Sequence, residues 1–435
     1  MPREYGYALE PVPREGRVYG FWENFAIWFG ADAGIAVFWA GALLTPSLPL
    51  PIATALILAG VAVGNVFMSA IAVMGYRTGV PTMVLARGAL GVRGSALPSL
   101  LNYLQLIGWS AIVIVVGAGA ADYILTSLAG FSAYHAWVLA IGAALTAWSF
   151  LGPERWRWVE NVSVALLLVL TAWLTYVTLT KFSIPELLKA PASGGMSYWL
   201  GLDLVIAMPI SWVPLVADYS RFARRYGDAL WGTYVGHFIS CALFYFVGAL
   251  TNVAIGAPDP ISIIASYGLG IPAMLIVIFT TLTTGFLDIY SAAISLKNVF
   301  TWVNVRRHVV VVGVASTLIA LVFPVEAYEW FLLLIIGAFV PLTSIMIIDY
   351  LARRYDPGSL LAGEGGPYWY RGGVNLPAMA VWAVGFAFSV ALSATLNLGI
   401  DIPFISDVAY SMGSSIPSLL LTAALYAAVA LRPRP

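Results

Sequence analysis

The chain is poor in nearly everything that a water-soluble protein needs on its surface. Charged residues make up 10% of its 435 positions, against about 25% in a soluble domain, and a globule with so few charges cannot cover itself against water. Lys181, Lys189 and Lys297 are the only lysines. None follows glycine in the G-x-x-x-x-G-K frame that cradles a nucleotide phosphate, so there is no sign of ATP as an energy source. Cys241 is the single cysteine and lies inside an apolar run, which excludes a disulfide within the chain. The histidines His135, His237 and His308 are far apart and, with one cysteine, give no metal-ligand spacing. No G-x-S-x-G or H-E-x-x-H segment occurs, so no known constellation supports an enzyme. Basic and acidic residues balance at 21 each, and net charge gives no reason to expect a nucleic-acid partner. The first twenty or so residues are polar, without the short apolar core and cleavage site of a secretory signal.

What the chain has instead is apolar surface: 61% hydrophobic residues and a mean hydropathy of +0.89. Apolar runs fall at about 22–46, 52–74, 96–127, 135–151, 158–180, 199–217, 229–255, 270–296, 308–323, 328–350, 374–396 and 409–431. Their length and continuity predict helices rather than barrel strands, which alternate over about ten residues. The expected fold is therefore an all-α integral membrane protein of about twelve transmembrane helices, with a lipid bilayer as its solvent. With the N-terminus placed in the cytoplasm, 19 of the 21 basic residues fall in cytoplasmic segments and only Lys181 and Lys189 outside. That bias puts both termini in the cytoplasm of a multi-pass protein in the cell membrane.

The first run is interrupted at Gly30-Ala31-Asp32-Ala33-Gly34, and the sixth carries Pro209 and Pro214 around Ser211-Trp212. Asp32 and Trp212 are 180 residues apart, and the same offset carries the second run onto the seventh, the third onto the eighth and the fifth onto the tenth. Five helices is an odd number, so the second copy would enter from the opposite side, as in a five-plus-five inverted repeat. The expected organisation is a tail over 1–20, repeats over 21–181 and 199–350, and two appended helices over 374–431. Glycine and proline are also common in membrane helices without any repeat.

Several residues could carry chemistry. The first break frees backbone carbonyls at membrane depth, and the eighth run holds the hydroxyls of Thr280, Thr281, Thr283 and Thr284. Carbonyls and hydroxyls together suit a monovalent cation such as Na⁺; the competing reading is threonines bonded back to their own helix. Asp32 and Asp288 are the deepest acids, expensive to bury at about 2.5–3.5 kcal/mol. Each could hold a proton, a cation or a substrate amine, or simply satisfy backbone. Asp122, Asp203 and Asp349 sit nearer run ends and read as structural. Trp109, in the middle of the third run, and Trp212 with Ser211 at the second break could hold a flat aromatic ligand between two indoles, or could be packing.

Ordered motifs tie these residues to a known family. Thr78-Gly79-Val80-Pro81 leads to Leu85-Ala86-Arg87 and Gly91-Val92-Arg93-Gly94-Ser95, followed by Leu104-Gln105-Leu106-Ile107-Gly108-Trp109, Asp218-Tyr219-Ser220-Arg221-Phe222 and Ile348-Asp349-Tyr350. The chain resembles the nucleobase–cation symporter-1 transporters from about Gly20 to Tyr350. Met208-Pro209-Ile210-Ser211-Trp212-Val213-Pro214, Phe286-Leu287-Asp288-Ile289-Tyr290-Ser291-Ala292 and Pro324-Val325-Glu326-Ala327-Tyr328-Glu329 look like the hydroxymethylpyrimidine permease branch, beside the cytosine permeases. The resemblance implies a LeuT-type fold, with a small heteroaromatic substrate among helices one, three, six and eight. The substrate contacts it implies are Asp32, Gly34, Ile35, Gln105, Trp109, Ser110, Ser211, Trp212, Gly285 and Asp288. The cation ligands it implies are Gly30, Ala33, Thr280, Thr283 and Thr284. Cytosine permeases carry an asparagine where this chain has Gly285, and an aromatic residue near Pro209. The expected activity is secondary symport of a hydroxymethylpyrimidine- or cytosine-like pyrimidine with Na⁺, or H⁺ as the alternative ion, and no organic cofactor. Rivals are a purine, allantoin or hydantoin carrier, a membrane-embedded hydrolase using Asp32 and Asp288, or a channel.

Overall fold

The computed structural model describes residues 9–151, 157–300, 302 and 304–429. Arg3, Arg155, Arg432 and Arg434 of the charge count, and the first part of the 1–20 tail, lie outside the described residues. Each apolar run becomes helix. The first run forms α1 (Phe21–Asp32) and α2 (Ile35–Leu43), bent by 61° at the break. There follow α3 (Leu50–Thr78), the short connector α4 (Thr82–Leu90), α5 (Ala96–Ala129), α6 (Tyr134–Leu151), α7 (Arg157–Lys181) and the connector α8 (Ile184–Lys189). The sixth run gives α9 (Tyr198–Ser211) and α10 (Val213–Ser220). Then come α11 (Thr233–Asn252), the connector α12 (Pro260–Ser266), α13 (Ile271–Val299), α14 (Val305–Val322), α15 (Ala327–Arg353) and the connector α16 (Pro357–Leu361). The chain closes with α17 (Leu376–Leu398), α18 (Ile405–Met412) and α19 (Ser415–Val429). Among the described residues the only β contacts are two isolated bridges, Tyr19 with Ala223 and Arg371 with Val374.

Ten described helices are long and apolar enough to cross a membrane, and twelve spans result if each bent pair counts as one. Helix starts carry local signals: Ser197 accepts the Leu200 N–H at 3.0 Å, and proline stands in the first turn of α3, α13 and α17, where no N–H is needed. Between spans, small residues let backbones approach. A Cβ at Gly248 of α11 would lie 1.9 Å from the Phe38 carbonyl oxygen of α2, and one at Gly41 would lie 2.0 Å from that of Tyr245. Helices α5 and α13 run antiparallel: the Asn102 amide donates to Ser295 Oγ at 2.7 Å, while Gly117, about four turns on, faces Thr281.

The last run departs from expectation. It is not one straight span but α18 and α19, bent by 116°. Gly413 makes the corner at φ +76°, and a Cβ there would meet Asp203 Oδ2 at 2.9 Å. Asp203 holds the corner. This buried carboxylate of α9 accepts the Ser414 N–H (2.6 Å) and Oγ–H (2.8 Å), and the Ser415 N–H (3.0 Å) and Oγ–H (2.5 Å). The four donors cap the start of α19 and tie it to the sixth span. The other acids read as structural also have partners: Asp122 accepts from Ser132 and Ala133, and Asp349 pairs with Arg353 and accepts from Tyr355 and Tyr426.

Asp203→Ala strands those donors in a buried place, a loss on the order of 3 kcal/mol. The apparent melting temperature in detergent is expected to fall; an unchanged midpoint would show that the donors find other partners.

Candidate functional site

Both helix breaks face one cavity. At the first, α1 stops at Asp32 and α2 starts at Ile35, with Ala33 at ψ 85° and Gly34 extended at φ −156°. At the second, Pro214 has no N–H to give, and the Leu215 and Val216 N–H groups turn to the Trp212 carbonyl at 3.0 Å. The Ser211 carbonyl, deprived of its helical donor, takes Gln105 Nε2–H at 2.8 Å. The same nitrogen donates to Asn102 Oδ1 at 2.8 Å. Since the Ser211 carbonyl can only accept, the amide orientation of Gln105 is fixed, and its Oε1 is left buried without a partner.

The cavity is lined by Gly30, Asp32, Ala33, Gly34, Ile35, Gln105, Trp109, Ser211, Trp212, Thr280, Thr283, Thr284 and Asp288 among the residues expected from sequence. Two of the expected residues lie elsewhere. Ser110 is fully buried and donates its hydroxyl to Leu106 O at 2.8 Å within α5. Gly285 faces Val113 and Leu145, where a Cβ would come within 2.7 Å of the leucine, so an asparagine would not fit there without a shift. The wall also includes Thr281 of the expected hydroxyl cluster, and Val113, Val116, Ser163, Met208 and Leu287, which sequence reasoning missed. The apolar ones carry no signal that separates them from packing. Ser163 was a hydroxyl in an apolar run, and only the fold shows what it meets.

Trp109 is held by aromatic neighbours, with Phe331 at 5.0 Å and 85° and Tyr328 at 6.1 Å and 74°. Beside it the threonines of α13 direct their protons to carbonyls of their own helix: Thr280 to Ile276 O and Val277 O, and Thr283 and Thr284 to Thr280 O. Thr283 also contacts Ser163 Oγ at 2.8 Å. Back-bonding and cation binding are compatible, because a hydroxyl whose proton is committed still offers lone pairs.

Asp32 has a task that sequence did not reveal. Its Oδ1 accepts the Trp212 indole N–H at 2.7 Å, and its Oδ2 lies 3.1 Å from His237 Nε2 of α11, off the hydrogen-bond line. Cys241 joins them, one turn along α11, so that carboxylate, imidazole and thiol atoms lie within 4.8 Å of one another, all buried. The sequence spacing gave no metal-ligand pattern, yet the fold assembles an O, N and S set of the kind that zinc takes. His237 did carry a signal: an ionisable residue inside an apolar span is a functional candidate by default.

A polar-edged cavity at the meeting of two interrupted helices, inside a bundle of membrane-spanning length, defines a carrier of small molecules. The particular family follows from sequence and fold together. Residues 11–413 match the family of permeases for cytosine and purines, uracil, thiamine and allantoin, and the chain belongs to it. It is 27% identical to a hydantoin permease of Microbacterium maritypicum over 94% of this chain and 87% of that one. It is 26% identical to the cytosine permease of Escherichia coli K12 over 82% and 84%. Its fold is that of Mhp1, a nucleobase-cation-symport-1 family transporter. The inward-facing form superposes with TM-score 0.81 at 23% identity over 98% and 95% of the chains, and a closed form with bromovinylhydantoin bound with TM-score 0.77 at 24% identity over 98% and 97%. The chain is a multi-pass membrane transporter with the LeuT-type fold, not an enzyme.

Trp109→Ala is expected to weaken binding of a ring substrate by about 1–3 kcal/mol, the range for one aromatic stacking face. Titration of the folded variant checks this; unchanged affinity would return Trp109 to packing.

Proposed function

We propose that the protein is a secondary active symporter that imports a pyrimidine-type ring, hydroxymethylpyrimidine- or cytosine-like, together with one Na⁺. The observation that carries the reading is the composition of one cavity: Trp109 and Trp212 with polar edges at Gln105, Ser211 and Asp288, and beside them the threonine hydroxyls of α13 and the break residues Gly30 and Ala33, the Gly30 carbonyl taking the Ala33 N–H at 3.3 Å and keeping a second lone pair. Neutral carbonyls and hydroxyls attract a hard monovalent cation but do not hold a titrating proton. Cation binding there would draw the first break against α13, order the wall around the ring and favour substrate binding from outside. One charge crossing 100 mV contributes about 2.3 kcal/mol, roughly fifty-fold accumulation, without ATP.

Residues 21–181 and 199–350 act in this reading as the two inverted repeats, with the chain from 374 to 431 appended. The charge bias of 19 basic residues to two supports cytoplasmic termini and a place in the cell membrane. A hydantoin or purine substrate is the second reading, favoured by the likeness to a hydantoin permease over 94% of the chain.

Two experiments test the proposal. In proteoliposomes, a labelled pyrimidine should accumulate above equilibrium only under an imposed Na⁺ gradient or membrane potential; uptake that stops at equal concentrations under every gradient would make the protein a facilitator. Thr284→Ala should weaken Na⁺-dependent thermal stabilisation and the Na⁺ dependence of substrate affinity together, because coupling between two binding sites is reciprocal. Loss of coupling in Asp32→Asn with coupling retained in Thr284→Ala would shift the assignment to H⁺.

A further inference from the structure

Behind the cavity wall, three side chains meet that the transport reading does not use together. Asp32 is the last residue of α1, and His237 and Cys241 belong to α11. Four positions apart, those two stand one above the other on one helix face. His237 and Cys241 are fully buried and Asp32 is 1% exposed. Their oxygen, nitrogen and sulfur atoms all lie within 4.8 Å of one another.

Hydrogen bonding does not account for this meeting. Asp32 Oδ1 takes the Trp212 indole N–H at 2.7 Å, but Oδ2 is buried without a hydrogen bond, and so are both ring nitrogens of His237. Polar atoms left in that state are costly. Nε2 lies 3.1 Å from Oδ2, off the line that a shared proton needs. That separation suits two ligands of one cation: at bond lengths of about 2.0–2.3 Å, tetrahedral ligands lie about 3.3–3.6 Å apart. A movement of about 1 Å brings the Cys241 sulfur into the same shell.

Charge and softness select the ion. With the thiol proton given up, carboxylate and thiolate carry one negative charge each and the imidazole none. A divalent ion makes the group neutral, which a buried place in low dielectric favours, and a monovalent one does not. A thiolate and an imidazole suit zinc, whereas magnesium and calcium take oxygen ligands. We infer that Asp32, His237 and Cys241 form a binding site for a divalent transition ion of the zinc class. Asp32 lines the cavity and gives the ion its way in, and the Trp212 N–H on Oδ1 orients the ligating carboxylate. Three protein ligands leave the fourth position to water. The filled site ties the end of α1 to α11 beside the first break.

The test reads metal binding on the full-length, tag-free protein in detergent, with no transported substrate present. Co²⁺ is the probe, because a thiolate bound to it adds a charge-transfer band in the near ultraviolet; Zn²⁺ then competes. The wild type should take up one equivalent of Co²⁺ with that band and yield it to Zn²⁺. It should also melt at a higher temperature with Zn²⁺ than with a chelator. Cys241→Ser should lose the band, and Cys241→Ser and His237→Ala should each weaken Zn²⁺ binding at least about 10²-fold, no less than loss of an outer partner costs. His237→Gln serves if the alanine variant does not fold. Absence of saturable binding by the wild type overturns the inference and leaves an internal polar cluster. Equal Zn²⁺ affinity in Cys241→Ser, or Co²⁺ bound without the thiolate band, puts the ion elsewhere and overturns it too. Neither result touches the transport reading, and failure of gradient-driven uptake leaves this site standing.

Discussion

Two helices of this protein stop and restart inside the membrane, where peptide groups cannot turn to water and must be satisfied within the protein. That requirement organises the site. Tyr328 of α15 sends its hydroxyl to the Ala36 carbonyl at 2.8 Å, just past the first break. Gln105 of α5 takes the Ser211 carbonyl at the second. Trp212, the hinge residue between α9 and α10, returns its indole N–H to Asp32 at the end of α1. The Gln105 bond closes a backbone gap and the Trp212 bond ties one break to the other, and both also orient side chains of the cavity. Backbone accounting and site construction are one set of contacts.

The breaks, the threonine cluster and Trp109 were legible because their signals are local: glycine and proline at fixed places, hydroxyls in an apolar span, an indole far from the membrane interface. Ser110 and Gly285 were assigned to the site by the family resemblance rather than by helical phase. The cavity-facing residues of α13 are 280, 281, 283, 284, 287 and 288, and those of α5 include 105, 109, 113 and 116. Both sets follow the helical period of one face. Residues 285 and 110 fall just beyond those faces, about 40° round from the lining residues 281 and 106, where they pack against protein, and helical phase alone places them at the rim.

Other features were closed to sequence because their partners are remote. Asp203 looked like a structural acid near a run end, but its partners are Ser414 and Ser415, 211 and 212 residues away. Nothing in the apolar pattern of 409–431 marks a 116° corner except Gly413. His237 stood alone in its run, and Ser163 looked like one more back-bonding hydroxyl. Only the packing of α11 against α1 and of α7 against α13 turns them into neighbours of the cavity.

The internal symmetry makes one further physical point. The offset that aligns the two halves pairs Asp32 with Trp212, and these two side chains are directly hydrogen-bonded across those 180 positions. Residues that correspond in an inverted repeat can touch only near the axis relating the halves, so this bond lies at the centre of the fold. The acid at this place accepts the Trp212 indole N–H on one oxygen and has the His237 imidazole beside the other. Asp288 of α13 lines the same cavity and has no hydrogen bond or ion pair among the described residues. Trp212 and Asp32 thus hold the two breaks against each other, and the cavity they border also includes Asp288 of α13 in its wall.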